Sequence, residues 1–143
     1  AMISRVRLNV SGLDAGYLAA VETIVRDEAF RIEAEVKMSI RARQSKYRPY
    51  KRGKGGKRVH WSSAPGQPPN QDRGNLAGRI YTKRMTKGND ISYEVRAPAA
   101  YAVPLEIGTK RMAARPFMGP VARRIFPEVE QAVIDYVRKW RWP

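Results

Sequence analysis

The chain contains no cysteine and a single histidine, His60. The first absence excludes disulfides, thiol nucleophiles and cysteine-ligated zinc, and the second excludes any metal site built on a histidine pair. Stability must then come from a packed core, and 143 residues are enough for one. A domain of that size buries roughly 68 to 70% of the surface its unfolded chain exposes. No apolar run approaches the ~20 residues of a membrane span. Met2 to Val10 alternates apolar residues with Arg5, Arg7 and Asn9, unlike the apolar core of a secretory leader. A soluble protein is expected, and the missing thiols fit a reducing compartment. Negative charge is absent over a long stretch. Between Glu35 and Asp72 there is no acidic residue, while Lys37, Arg41, Arg43, Lys46, Arg48, Lys51, Arg52, Lys54, Lys57 and Arg58 supply ten of the net +15 charges. Such a block repels itself. With Gly53, Gly55 and Gly56 inside it, it offers little apolar surface to offset the entropy of ordering. A long basic loop, mobile over 44–62, is expected.

Periodicity outlines the remainder. Val6, Leu8 and Val10 alternate with polar residues and predict a strand, which Ser11-Gly12 ends, and Asp14 is placed to cap a helix. From Leu18 onward, Val21, Val25, Ala29, Ile32, Val36 and Ile40 recur at spacings of three and four, predicting a long amphipathic helix. "RIYTKRM" and "ISYEVR" flank "TKGND" and predict a β-hairpin, with Ile91, Tyr93 and Val95 on its buried face. Phe126, Val129, Val133, Tyr136, Val137 and Trp140 predict a closing helix. Pro116 and Pro120 suit a helical first turn, whereas Pro127 should kink the element or restart it. The expected architecture is a single α+β domain, 1–143, with a small, mostly antiparallel sheet. The N-terminal and C-terminal helices pack on one sheet face, and residues 44–74 form a flexible basic and proline-rich loop.

No catalytic constellation emerges. The thirteen carboxylates fall mostly on the expected solvent faces of the two helices, where general acid–base work has no use for them. His60 beside Trp61 lies in the basic stretch and reads as a bystander. "RGKGGKR" lacks the strand, spacing and Lys-Ser/Thr ending of a phosphate-binding loop, and "SSAPG" lacks the frame of a nucleophile elbow. The expectation is a non-enzyme with no metal and no cofactor. Nucleic-acid binding is a second class, because Tyr47, Tyr50 and Trp61 punctuate the basic run and aromatics among cations suit single strands. On that alternative Lys46, Arg48, Lys51, Arg52, Lys54, Lys57 and Arg58 make sequence-independent, salt-sensitive contacts.

Two segments rich in proline and glycine carry a sharper signal. "SAPGQPPNQDRGNLAGRI" is followed about twenty residues later by "YAVPLEIGTKRMAARPFMGPVARR". Together they resemble a family of tailed-bacteriophage neck proteins of the head-tail joining or tail-completion type. In that family Ser/Thr-Ala-Pro-Gly-x-Pro-Pro and Thr-Gly-x-Leu precede a hairpin, then Tyr-Ala-x-x-x-Glu-x-Gly-Thr and Arg-Pro-Phe-x-x-Pro-Ala. The matching elements here are Ser63 to Pro69, Arg73 to Leu76, Tyr101 to Thr109 and Arg115 to Ala122. Arg73 stands for the usual threonine, and Val121 sits between Pro120 and Ala122. The resemblance implies a non-catalytic virion protein at the head-tail junction, passing through the host cytoplasm during assembly. It implies a homo-oligomeric ring around the DNA channel, in contact with portal-side and tail proteins. The implied contact residues are Pro65, Gly66, Pro68, Pro69, Gly74, Leu76, Tyr101, Glu106, Arg115, Pro116 and Phe117.

Proline fixes φ and favours extended paths, while Gly66 and Gly74 permit turns. Residues 62–74 therefore read as a stiff arm shaped for a neighbour. Read from its residues alone, "YAVPLEIGT" is a short buried helix ended by Gly108, with Tyr101 and Leu105 one turn apart in the core. Glu106 would pair with Arg115 or Arg111, within the subunit or across an interface. Pro116 and Phe117 would lodge in the core at the start of the last helix. Trp140 and Trp142 either close the core or bind a partner.

Overall fold

The computed structural model describes residues 1–12, 14–42 and 44–141. A strand β1 (Met2–Asn9) leads into a long helix α1 (Ala15–Arg41). Two short strands follow, β2 (Arg48–Arg52) and β3 (Arg58–Ser62), then a one-turn helix α2 (Asn75–Arg79). A hairpin of β4 (Tyr81–Arg84) and β5 (Asp90–Ala97), a short helix α3 (Ala102–Ile107) and a closing helix α4 (Gly119–Arg141) complete the chain. The fold is α+β, with the main sheet ordered β1-β5-β4 and antiparallel throughout.

Strand β5 lies in the middle of the sheet, paired with β1 from Met2↔Ala97 to Asn9↔Asp90 and with β4 from Tyr81↔Arg96 to Arg84↔Tyr93. Its Ile91, Tyr93 and Val95 share a face with Val6 of β1 and are buried against the helices. The Tyr93 hydroxyl donates to Glu22 of α1 at 2.8 Å. The α1 stripe is the one periodicity predicts: Val21, Val25, Ala29, Ile32, Val36 and Ile40 are all at most 1% exposed. Asp14 caps this helix, its carboxylate accepting the Tyr17 N–H at 3.0 Å. Phe117, Met118, Ile125, Val129 and Val133 close the core from the α4 side. The β4–β5 turn is formed by Gly88 and Asn89, with Gly88 at φ +54° and reciprocal bonds between Lys87 and Asp90 at 2.9 Å.

Two expectations are corrected. The stretch read as a basic loop carries regular structure: β2 and β3 pair from Arg48↔Ser62 to Arg52↔Arg58. Its tip needs glycine, because Gly53, Gly55 and Gly56 have φ between +65° and +81°. Charge alone suggested disorder, whereas alternation of Tyr50, Val59 and Trp61 with polar residues around a glycine turn was the hairpin signal. Secondly, the closing helix does not restart at Pro127, because α4 is continuous from Gly119 to Arg141. Both Pro127 and Arg123, whose carbonyl loses its N–H partner, are exposed, which leaves the freed group on the solvent side of the helix. Most carboxylates lie on the two long helices, as expected, but two elsewhere are buried. Glu94, on the β5 face away from α1, is 1% exposed, sandwiched between Arg5 and Arg96, and Glu106 is 9% exposed. Arg43 and Trp142 lie outside the described residues.

Candidate functional site

The two motif segments, far apart in sequence, meet. The Gly66 N–H donates to the Ala114 carbonyl at 2.9 Å, and Arg115 Nε donates to the Ser63 carbonyl at 3.1 Å. Arg115 Nη1 reaches the Ala113 carbonyl at 3.2 Å, so its guanidinium staples residues 63 and 113 together. The Arg115 N–H also donates to the Leu105 carbonyl at 2.6 Å. Residues 62–74 are therefore pinned on their own subunit. Pro65 and Gly66 remain exposed, Pro68 is half-buried and Pro69 is buried, so the stiff segment lies docked along its own subunit with one end outward. Gly74, at φ +81°, opens α2 without a side-chain cap, and Leu76 behind it is buried at 8% exposure. Arg73, in the position where the family pattern has threonine, is exposed.

Glu106 does not pair with Arg111 or Arg115. Its carboxylate accepts the main-chain N–H groups of Phe117 at 2.9 Å, Met118 at 3.1 Å and Gly119 at 2.7 Å. These are orphan donors at the start of α4, which a carboxylate satisfies while also meeting the positive end of the helix. The requirement for glycine at 119 follows, since a Cβ there would lie 2.7 Å from Glu106 Oε1. Phe117 is 1% exposed and Pro116 half-buried, as expected for residues seated where the helix begins. Tyr101 is not in the core: it precedes α3 and is 47% exposed.

Gly108 ends α3 at φ +79°, and its absent side chain leaves room for the strand-like return of residues 112–114. A Cβ at this position would sit 2.8 Å from Ala114 N. Gly108→Ala is expected to cost about 2 kcal/mol, combining left-handed strain with a backbone clash. Thermal melting checks this, and an unchanged midpoint would disprove the close approach.

Asparagine joins the β2–β3 hairpin to this assembly. Asn70 Oδ1 accepts the Gln44 N–H at 3.0 Å, and its Nδ2 donates to the Ser45 and Trp61 carbonyls at 3.1 and 3.0 Å. Asp72 adds an ion pair to Arg58, which holds its carboxyl below the usual range. Asp72 Oδ1 also lies 3.8 Å from His60 Nδ1. The His60 ring is 15% exposed, and burial pushes its pKa down. His60 is thus part of a wall, not a member of a loose loop.

Between hairpin, docked proline segment and α3 region lies a cleft of about 830 Å³. The hairpin presents Arg48, Tyr50 and Arg52 to it, at alternate positions of β2, and His60 and Ser62 from β3. Lys46, Lys51, Lys54 and Lys57, grouped with these arginines on charge alone, do not line it. Lys46 instead lies over the Trp61 ring, 5.8 Å from its centroid, and Arg58 is engaged by Asp72. Sequence reasoning missed Asn70 and Asp72 at this site, because their roles depend on partners nine to twenty-six residues away. The asparagine between a proline pair and the next acidic residue was the one local clue.

Trp140 is 59% exposed, with its ring 6.3 Å from that of Tyr136, and its carbonyl accepts the Tyr17 hydroxyl at 3.2 Å. Among the described residues there is no group of three or more His, Cys, Asp or Glu side chains that could hold a metal ion, and no helix is long and apolar enough to cross a membrane. Comparison of the chain with family models, curated proteins and solved structures finds no match.

Proposed function

We propose that this chain is a non-catalytic structural subunit of a tailed-phage neck, acting in tail completion or head-tail joining as part of a homo-oligomeric ring. The observation that carries the reading is the convergence of the two motif segments. The residues on which the resemblance rests, 63–76 and 101–122, are brought together as a stretch of surface and the core beneath it, held by Arg115, Glu106 and the Gly66–Ala114 bond. A ring subunit needs such a surface to keep its shape while neighbours load it, and stiff segments lose little entropy on docking. Pro65, Gly66 and Tyr101 stand on its outside and are the contacts offered to adjoining copies or to portal-side and tail proteins. The exposed Lys51, Lys54 and Lys57 give the same subunit a basic edge suited to the polyanion in the channel or to an acidic neighbouring ring.

Particles assembled in cells that supply a tagged copy provide the test. Electron microscopy is expected to place the tag at the head-tail junction. A tag at the baseplate, or its absence from purified particles, would overturn the reading.

A further inference from the structure

The cleft has a chemistry of its own. Five arginines line it, Arg48, Arg52, Arg73, Arg111 and Arg115, against one carboxylate, Asp72, which Arg58 already engages. Beneath them Ile40, Leu76 and Leu105 contribute apolar surface. Arg115 is 7% exposed and hydrogen-bonded only to neutral carbonyls, and among the described residues no carboxylate lies within ion-pair distance of it. Buried charges are ordinarily paired. A guanidinium fixed at one edge by main-chain oxygens presents its remaining N–H groups in a set plane, which suits two-pronged contact with a carboxylate. Alongside it, Ser63 is fully buried and its hydroxyl has no hydrogen-bond partner, and the same holds for the Ser62 hydroxyl.

We propose that the cleft seats a short acidic peptide segment of a partner protein, one carboxylate lodged against Arg115, an apolar side chain on Leu76 and Leu105, and flanking acidic residues beneath Arg48, Arg52 and Arg111. The proposal deepens the neck reading by naming the kind of partner this surface takes. A second copy of the chain is a poor occupant. Twelve of its thirteen carboxylates, all but Glu130, are already engaged by cations, main-chain N–H groups or amide and hydroxyl donors. A nucleic-acid strand fits less well, because about 830 Å³ is short beside grooves that track roughly 4 to 16 nucleotides, and the deepest cation is a single buried fork rather than a row.

Fluorescence anisotropy on the isolated chain tests this with labelled peptides of about eight residues, each carrying acidic residues around one Leu, Phe or Trp. Saturable binding is expected, weakened about tenfold or more when the acids are replaced by their amides. The exposed-rim variant Arg48→Glu/Arg111→Glu should lose a similar factor with an unchanged melt. Arg115→Lys, which keeps the charge but not the fork, should also weaken binding about tenfold. Unaltered affinity there, in a folded variant, removes Arg115 as the seat; should that variant unfold, the rim variant decides. The proposal is overturned if the amide peptides bind equally well or if a short oligothymidylate displaces the peptide at lower concentration than the peptide itself. It is also overturned if no peptide of the panel saturates below about 1 mM. The outcome separates from that of the neck reading. Failure of every peptide leaves the tag at the junction, and a tag elsewhere leaves the titration intact.

Discussion

Glu106→Ala is expected to lower stability by about 3 to 5 kcal/mol, because it strips three main-chain N–H groups of their only acceptor in a buried setting. In a chain of this length that corresponds to a fall of roughly 10 to 15 °C in the melting midpoint. The loss is local in origin. The donors belong to Phe117, Met118 and Gly119, so the first turn of α4 frays and the side chains of Phe117 and Met118, 1% and 0% exposed, lose their fixed entry into the core. Amide exchange should therefore accelerate first at residues 117–119 and at Arg115, whose N–H reaches the Leu105 carbonyl next to Glu106. Glu106→Gln retains an acceptor oxygen but no charge to meet the helix end, and should recover roughly half of the lost stability. A melt of Glu106→Ala within about 2 °C of the unaltered protein would show that water replaces the carboxylate, and the account of this corner would fall.

Acid should be the second strong perturbation. Ion pairs hold five carboxyls below their usual range: Glu22 through Arg84, Glu33 against opposing burial through Lys37 with help from Thr82, Glu35 through Arg124 and then Arg31, Asp72 through Arg58, and Glu94 through Arg96 and then Arg5. A carboxyl whose folded pKa is depressed contributes stability that is complete above its unfolded value and disappears as pH falls through the folded one. His60 acts in the same direction by a different route, since burial lowers its pKa and the folded state resists its protonation. Stability is therefore expected to decline from about pH 6 downward and steeply below about pH 4.5, by on the order of 3 to 5 kcal/mol in total once solvent screening is allowed for. Self-repulsion of a chain already at +15 adds to the fall. Glu94→Gln should flatten the curve below pH 4.5, and melts at intervals from pH 7 to 3 measure it. A midpoint that holds constant to about pH 3, or rises, contradicts the assignment of these pairs as stabilising.

What could be read ahead of the structure follows a simple division. The α1 stripe from Val21 to Ile40 and the buried face Ile91, Tyr93 and Val95 were legible because a helix repeats every 3.6 residues and a strand every two, and both signals lie within a short window. The Gly88-Asn89 turn was legible for the same reason. The β2–β3 hairpin was obscured by its charge, although its alternation and glycine tip lay within fifteen residues, Arg48 to Ser62. The restart expected at Pro127 does not occur, because the cost of a proline depends on whether the freed carbonyl faces solvent, which a local pattern does not reveal.

The candidate site was legible only as an inventory. Its prolines, glycines, Glu106 and Arg115 were all picked out, but their partners were not. Glu106 was assigned to an arginine and takes three amides instead, and Arg115 was offered to Glu106 and takes the Ser63 and Ala113 carbonyls. By itself the sequence determined the two long helices, the β4–β5 hairpin, the core stripes, the charge segregation and the exclusion of cysteine chemistry, all of which depend on composition and short-range order. The tertiary structure alone decided that residues 63 and 115 touch, that five arginines surround one cleft, and that Glu94 and Glu106 are buried. The physical reason is that hydrogen bonds and ion pairs are short-ranged in space and indifferent to separation along the chain, so their partners exist only once the core has brought distant segments together.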